Sequence, residues 1–219
     1  MKNRDDFKEF EKAFLRQNSY LNLISKNDEK FLWEKHIFDS IAIEKFFQKY
    51  CAAPDCGGKL KMESEKLYNF QLSTINFQLL DIGTGGGFPA VPIALSYPEI
   101  EVYALDSIRK KINAIENIKS ELDIKNLHTI CNRAENISGE YDLVTSRAVA
   151  PIKVIAGYAL PLLKNDGYFV AYKSVKAQEE IVDAKNILKK YNAKVVDIIQ
   201  YDLPLEENYT RNLIVIAKN

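Results

Sequence analysis

The residues able to do chemistry in this chain gather where apolar runs stop. The run "FQLLDI" carries Asp81, and after it Gly83, Gly85, Gly86 and Gly87 fill four of five positions before Phe88-Pro89 opens a second apolar run. A loop that leaves a strand and enters a helix presents unpaired backbone N–H groups. Glycine lets that backbone take unusual φ values and keeps side chains away from a ligand. A tight turn needs one glycine or two, so four imply a nucleotide-like ligand. Asp106 closes a second apolar run, where a carboxylate can accept from both hydroxyls of a ribose. Arg147 follows "YDLVTS" and Lys173 ends "YFVAYK", which puts two cations at strand ends. His36 and Asp39 stand three apart in "EKHIFDS", so a helix would place them on one face.

Strands and helices must alternate to bring these positions together. Strand-like runs are "FQLLDI", "EVYAL", "NLHTIC", "YDLVTS" and "YFVAYK". Helical stretches lie between them at Pro89–Ser96, at the Ile108, Ile112, Ile115, Ile118, Leu122 repeat, and at Pro151–Leu163, which the "KNDG" turn should end. A further helix is expected over 176–190, and then "AKVVDIIQY" and "RNLIVIA" follow one another without a helix. A connection that short joins antiparallel strands. The expected fold is α/β: a seven-stranded, mostly parallel sheet whose last strand is antiparallel. Ligands then belong at the carboxyl ends of the strands, near the point where strand order reverses.

The chain ends of this scheme differ in character. Residues 1–50 read as a helical extension, with Phe7, Phe10 and Phe14 on one helix face and Phe31, Phe38, Ile41 and Phe46 on another. The polar joint "NSYLNLISKND" separates them. Residues 51–76 read as a linker, and 77–219 as the Rossmann-like domain.

Composition narrows the function. Thirty Lys and Arg balance thirty Asp and Glu over 219 residues, so any nucleic-acid site must be a local patch. Candidates are Arg109, Lys110 and Lys111, the pair Lys59 and Lys61, and the group Lys8, Lys12 and Arg16, each of which also reads as a solvated face. No apolar run reaches membrane-spanning length, and the charged N-terminus lacks a signal-peptide core, so a cytoplasmic protein without a membrane partner is expected. Cys51, Cys56, His128 and Cys131 are spaced too loosely for a structural zinc site, and no metal is expected.

Two cofactors compete for the glycine loop. The dinucleotide pattern G-x-G-x-x-G/A fails from Gly83 and fits only weakly from Gly85 through Gly87 and Ala90. The alternative, Asp81 followed by Gly83, Gly85 and Gly87, resembles motif I of the class I S-adenosylmethionine-dependent methyltransferases. In that group Ala134 and Glu135 of "RAEN" would hold the adenine. The end of the fourth strand has neither the Asp/Asn-Pro-Pro-aromatic motif of adenine amino-methylating enzymes nor the Pro-Cys of cytosine-C5 enzymes.

The motifs "NLIS…EKHIFDSI", "DIGTGGGFPAVPIAL", "LDSIRKK", "RAEN", "DLVTSRAVA" and "RNLIVI" occur in that order over about Asn22 to Ala217. In this the chain resembles the ribosomal RNA small-subunit methyltransferase G family, also called glucose-inhibited division protein B. The resemblance implies transfer of a methyl group from S-adenosylmethionine to N7 of a guanine in 16S ribosomal RNA of the small subunit; a monomer is expected. It implies a cofactor site at Asp81, Gly83, Gly85, Gly87, Phe88, Asp106, Ala134, Glu135 and Arg147. Arg147 is the candidate catalytic residue, with helix capping or pairing to Asp142 as its structural alternative. His36 and Lys173 are candidate RNA contacts, His36 alternatively packing with Asp39 between extension and sheet. A small-molecule methyltransferase or a non-catalytic cofactor- or RNA-binding module are the competing functions.

Overall fold

Runs rich in β-branched and aromatic residues, bounded by Gly, Asp and Asn, suit a pleated sheet. The computed structural model describes residues 2–51, 77–207 and 209–219. Its strands are β1 (Gln78–Ile82), β2 (Glu101–Asp106), β3 (Leu127–Cys131), β4 (Tyr141–Arg147), β5 (Leu163–Lys173), β6 (Ala193–Leu203) and β7 (Tyr209–Lys218). They form one seven-stranded sheet in the order β3-β2-β1-β4-β5-β7-β6. The first five run parallel, and β7 lies antiparallel between β5 and β6. The chain moves outward from β1 to β2 and β3, then returns to β4 on the other side of β1. The reversal opens a crevice at the carboxyl ends of β1 and β4.

The helices are α1 (Lys8–Leu21), α2 (Lys26–Glu29), α3 (Asp39–Ile41), α4 (Glu44–Tyr50), α5 (Ala90–Ser96), α6 (Arg109–Glu121), α7 (Ile152–Ala159) and α8 (Ala177–Lys190). Because side chains alternate along a strand, the sheet feeds two cores. Leu79, Val102, Leu143, Val170 and Val215 face a layer that includes Phe7, Phe10, Phe14 and Phe46 from the first 51 residues. Leu80, Val144, Phe169, Ile214 and Ile216 face the other layer, with Ile155 of α7 and Leu188 of α8. Burying one such aromatic or aliphatic side chain contributes about 1.5–3 kcal/mol. The aromatic face of α1 is thus part of the sheet's own core.

Two details depart from the sequence reading. The "KNDG" segment does not end a helix; α7 closes in a 3-10 turn at Leu160–Leu162, and Lys164–Gly167 lie within β5. There Tyr141 pairs Leu163 while Leu143 pairs Tyr168, so extra residues bulge out, with Asp166 at φ 63°. Asp tolerates this left-handed conformation better than most residues, so a composition that signals a turn serves a bulge equally well. Second, Leu32–Phe38 is a π-helical stretch running directly into α3 rather than a regular α-helix. The polar joint before it is closed by Asn18, whose Oδ1 accepts from Ile24 N at 2.8 Å and whose Nδ2 donates to Glu29 at 2.7 Å. The linker 51–76, apart from buried Cys51, lies outside the described residues, as do Cys56, Lys59 and Lys61.

Candidate active site

The glycine loop leaves β1 at the reversal point. Gly83, Gly85 and Gly87 have φ of 73°, 59° and 98°, values that disfavour any side chain. Space is short as well: a Cβ on Gly83 would come 2.4 Å from Val149 Cγ2, and one on Gly87 2.7 Å from Val91 Cγ2. The loop is fixed by Asp106 from the end of β2. Its Oδ2 accepts from Gly85 N at 3.0 Å and its Oδ1 from Ile108 N at 2.9 Å, with Lys111 Nζ at 3.7 Å. A carboxylate has about four acceptor sites, so Asp106 retains capacity for a ligand hydroxyl.

Asp106 faces a cleft of about 430 Å³. Gly83, Ala134 and Glu135 line it, with Lys111, Val149 and Tyr158 completing the walls. Four sequence-predicted positions therefore meet at one cavity. Asp81, at the end of β1, is fully buried, with Oδ1 accepting from Thr145 Oγ1 at 2.9 Å and the Thr84 side chain and Ala90 backbone N–H also facing its carboxyl. Burial pushes its carboxyl up to about 6. The cleft has what S-adenosylmethionine would need: a glycine cradle that a Cβ would fill, and the Asp106 carboxylate, which could accept from ribose hydroxyls.

The other predicted residues form a second group. The Phe88 ring points away from the cleft into the first layer, with ring centroids 4.9 Å from Phe14, 5.7 Å from Phe10 and 5.2 Å from His36. Arg147 lies over the same ring at 5.3 Å. Its Nη1 donates to Asp39 Oδ2 at 3.0 Å and to the carbonyls of Lys35 and His36 at 3.2 and 3.4 Å, while Nη2 meets His36 Nδ1 at 3.1 Å. The π-helical winding around Leu32–Phe38 places those two successive carbonyls before one guanidinium. Asp142, the alternative partner, instead binds Gln78 N and Lys164. Since an arginine can only donate, His36 Nδ1 accepts and the ring proton sits on Nε2, which is buried without a partner. Burial and the Arg147 charge lower His36 to about 4, so it is neutral at pH 7.

Asp39 is the centre of this group. Besides Arg147 it accepts from Tyr201 Oη at 2.6 Å and from Arg211 Nε at 3.2 Å. Tyr201 and Arg211 lie on the terminal hairpin; Arg211 opens the "RNLIVI" motif, which carries no site role in the sequence, and Tyr201 has no local signal. Lys173 stands apart from both groups, its Nζ 2.7 Å from Ala150 O and 2.7 Å from Glu180 Oε2. Of the basic patches, Lys8, Lys12 and Arg16 pair with Asp5, Glu9 and Glu121. Lys111 belongs to the cleft.

A family model described as rRNA small subunit methyltransferase G matches residues 63–210. The chain belongs to the rRNA small subunit methyltransferase G family. It is 34% identical over 221 residues to the ribosomal RNA small subunit methyltransferase G of Streptococcus pneumoniae serotype 19F (strain G54), covering 98% of this chain and 83% of that one. The protein of that name from Desulfitobacterium hafniense (strain Y51) is 34% identical over 207 residues, covering 92% and 75%. Among solved structures, M. jannaschii TYW2 in complex with AdoMet superposes with TM-score 0.53 at 18% identity, over 67% of this chain and 69% of that one. Magnesium protoporphyrin IX methyltransferase (ChlM) from Synechocystis PCC 6803 with bound SAM gives TM-score 0.52 at 17% identity, over 66% and 71%. These two likenesses concern the fold. In this family member, then, the glycine loop, Asp106, Ala134 and Glu135 share one cleft, while Phe88, Arg147 and His36 join the N-terminal helices to the end of β4.

Proposed function

We propose that this protein is an S-adenosylmethionine-dependent methyltransferase acting on N7 of a guanine in 16S ribosomal RNA. The observation that carries the reading is identity of 34% over 98% of the chain to a ribosomal RNA small subunit methyltransferase G. The cleft supports it chemically. Gly83, Gly85 and Gly87 would take the methionine end of the cofactor, Asp106 the ribose, and Ala134 with Glu135 the adenine. Bound there, S-adenosylmethionine supplies an electrophilic methyl group on a sulfonium.

Guanine N7 has an in-plane lone pair and no proton to lose. The protein's task is therefore alignment and exclusion of water rather than base catalysis. His36, whose one lone pair already accepts from Arg147, and the engaged Arg147 agree with that, since neither is poised to remove a proton. Arg147 would act by fixing the end of β4 beside the transfer site.

We also propose the division into a helical extension (1–50), a linker (51–76) and a methyltransferase domain (77–219), a monomeric state and a cytoplasmic location. Among the described residues no helix is long and apolar enough to cross a membrane. The experiment is a map of N7-methylguanine in 16S RNA from cells with and without the gene, beside calorimetry with S-adenosylmethionine and NAD. An unchanged map sinks the assigned reaction. Binding of NAD alone turns the cleft over to an oxidoreductase, and transfer to a metabolite but not to RNA supports a small-molecule enzyme.

A further inference from the structure

A second cavity, of about 270 Å³, opens beside the first on the same sheet edge. Ala148 lines both, so the turn after β4 is the wall between them. Ala148 has φ 54°, an uncommon conformation for a residue with a side chain. Opposite that wall stand the terminal hairpin, through Tyr209 and Arg211, and the π-helical stretch, through Lys35 and His36.

We propose that this second cavity seats the target base: one guanine turned out of the RNA, stacked on Tyr209 with Arg211 at its O6. The assignment rests on the methyltransferase reading above and names the substrate's place within it. Three observations carry it. The first is position. Ala148, the residue that follows β4, lines both cavities, so the second one adjoins the cleft in which S-adenosylmethionine would be held. An enzyme acting on a ring atom needs the base unstacked and held in a pocket of its own.

The second is charge. Lys35, Arg147 and Arg211 face Asp28 and Asp39, three cations against two carboxylates. Asp39 binds Arg211 through Nε and Nη2, at 3.2 and 3.4 Å, and Arg211 also lines the cavity. A guanidinium suits guanine O6, whereas adenine presents its amino group at that position. One donor at O6 leaves the N7 lone pair unused, as the reaction requires. The third is the aromatic rim. Tyr209 lines the cavity and is 51% exposed, and an exposed aromatic ring can serve as a stacking platform for a base.

Two measurements test the site. Single-turnover methyl transfer to 16S RNA is compared for wild type, Tyr209→Ala and Tyr209→Phe, with cofactor affinity measured on the same preparations. The expected result is a rate about tenfold lower for the alanine variant, a phenylalanine variant within about twofold of wild type, and cofactor Kd unchanged. In parallel, guanosine and adenosine are titrated into the S-adenosylhomocysteine complex and backbone amide signals followed by NMR. Guanosine should move Tyr209 and Arg211, and adenosine should not. A full rate in Tyr209→Ala, or guanosine shifts confined to the surroundings of Asp106, overturns the site. Full-rate transfer by Tyr209→Ala leaves the proposed function standing while the site falls. Guanosine shifts at Tyr209 with no methyl reaching 16S RNA do the reverse.

Discussion

Arg147 Nη1 lies 3.0 Å from Asp39 Oδ2, joining the end of β4 to a helix 108 residues earlier in the chain. The Asp39 side chain is 3% exposed and that of Arg147 11%, so water does little to screen the pair. Asp39 also answers the charge of Arg211. Asp39→Ala would leave two part-buried guanidinium groups without their shared carboxylate, and removing one partner from a fully buried ion pair costs about 3–5 kcal/mol, the upper bound here. Urea unfolding of wild type and Asp39→Ala should show a loss of up to that size. A change below about 1 kcal/mol would mean that the network is solvated and does not hold the extension.

Gly83 should be the least replaceable glycine of the loop. Its φ of 73° disfavours any side chain, and a Cβ there would collide with Val149 Cγ2 at 2.4 Å. Gly85 has φ 59° but open space, its nearest atom being Gly83 O at 4.0 Å. The left-handed conformation alone costs an alanine about 1–2 kcal/mol. Calorimetry should therefore find cofactor binding abolished in Gly83→Ala and weakened only about tenfold in Gly85→Ala. Equal affinities for the two variants would show that the turn carrying Val149 moves freely.

The contrast between the two groups of site residues shows what a sequence makes legible. Alternating apolar positions and the place of each Asp at a strand end read directly into the sheet, because period-two burial and strand termini are local properties. The shared cleft of Gly83, Asp106, Ala134 and Glu135 follows from that order of strands. The surroundings of Phe88 and Arg147 do not follow from it. Phe88 adjoins the glycine loop in sequence, yet its ring turns into the aromatic cluster of Phe10 and Phe14. Arg147 meets residues brought to it by tertiary packing, and the π-helical winding that presents two carbonyls has no local signature. The bulge in β5 was hidden for a related reason: "KNDG" states only that the backbone turns, and not whether a helix ends or a strand bulges.

Stability should depend on pH through two groups of opposite sign. His36 falls from 6.5 to about 4 on folding. Between those values the unfolded chain binds the extra proton, so this residue's contribution rises with pH. Asp81 rises from 3.8 to about 6. There the folded chain binds the extra proton, and its contribution falls with pH. Over pH 4 to 6 the two slopes oppose each other. Replacing His36 by Phe should unmask the Asp81 slope, giving a protein that loses about 1–3 kcal/mol between pH 4 and 6 relative to the wild-type profile. Unfolding free energies measured at half-unit intervals decide; parallel profiles for the two proteins would show that His36 titrates normally.

Lys173 separates a phosphate contact from a structural clasp. Its Nζ reaches Ala150 O and Glu180 Oε2, each at 2.7 Å, and Glu180 Oε2 also accepts from Ile152 N at 2.8 Å. The clasp ties the turn after β4 to α8, and that turn carries Ala148 and Val149 of the cleft at Asp106. Lys173→Ala should therefore weaken S-adenosylmethionine binding by about three- to tenfold, the loss of one charge-assisted hydrogen bond acting at a distance. RNA affinity should keep its dependence on salt. A lysine on phosphate behaves differently: its removal weakens RNA binding and lowers the salt slope by about one. Measuring RNA affinity at several salt concentrations, with cofactor affinity on the same variant, distinguishes the two. A reduced slope with unchanged cofactor affinity would place the Lys173 head on RNA and not on the turn.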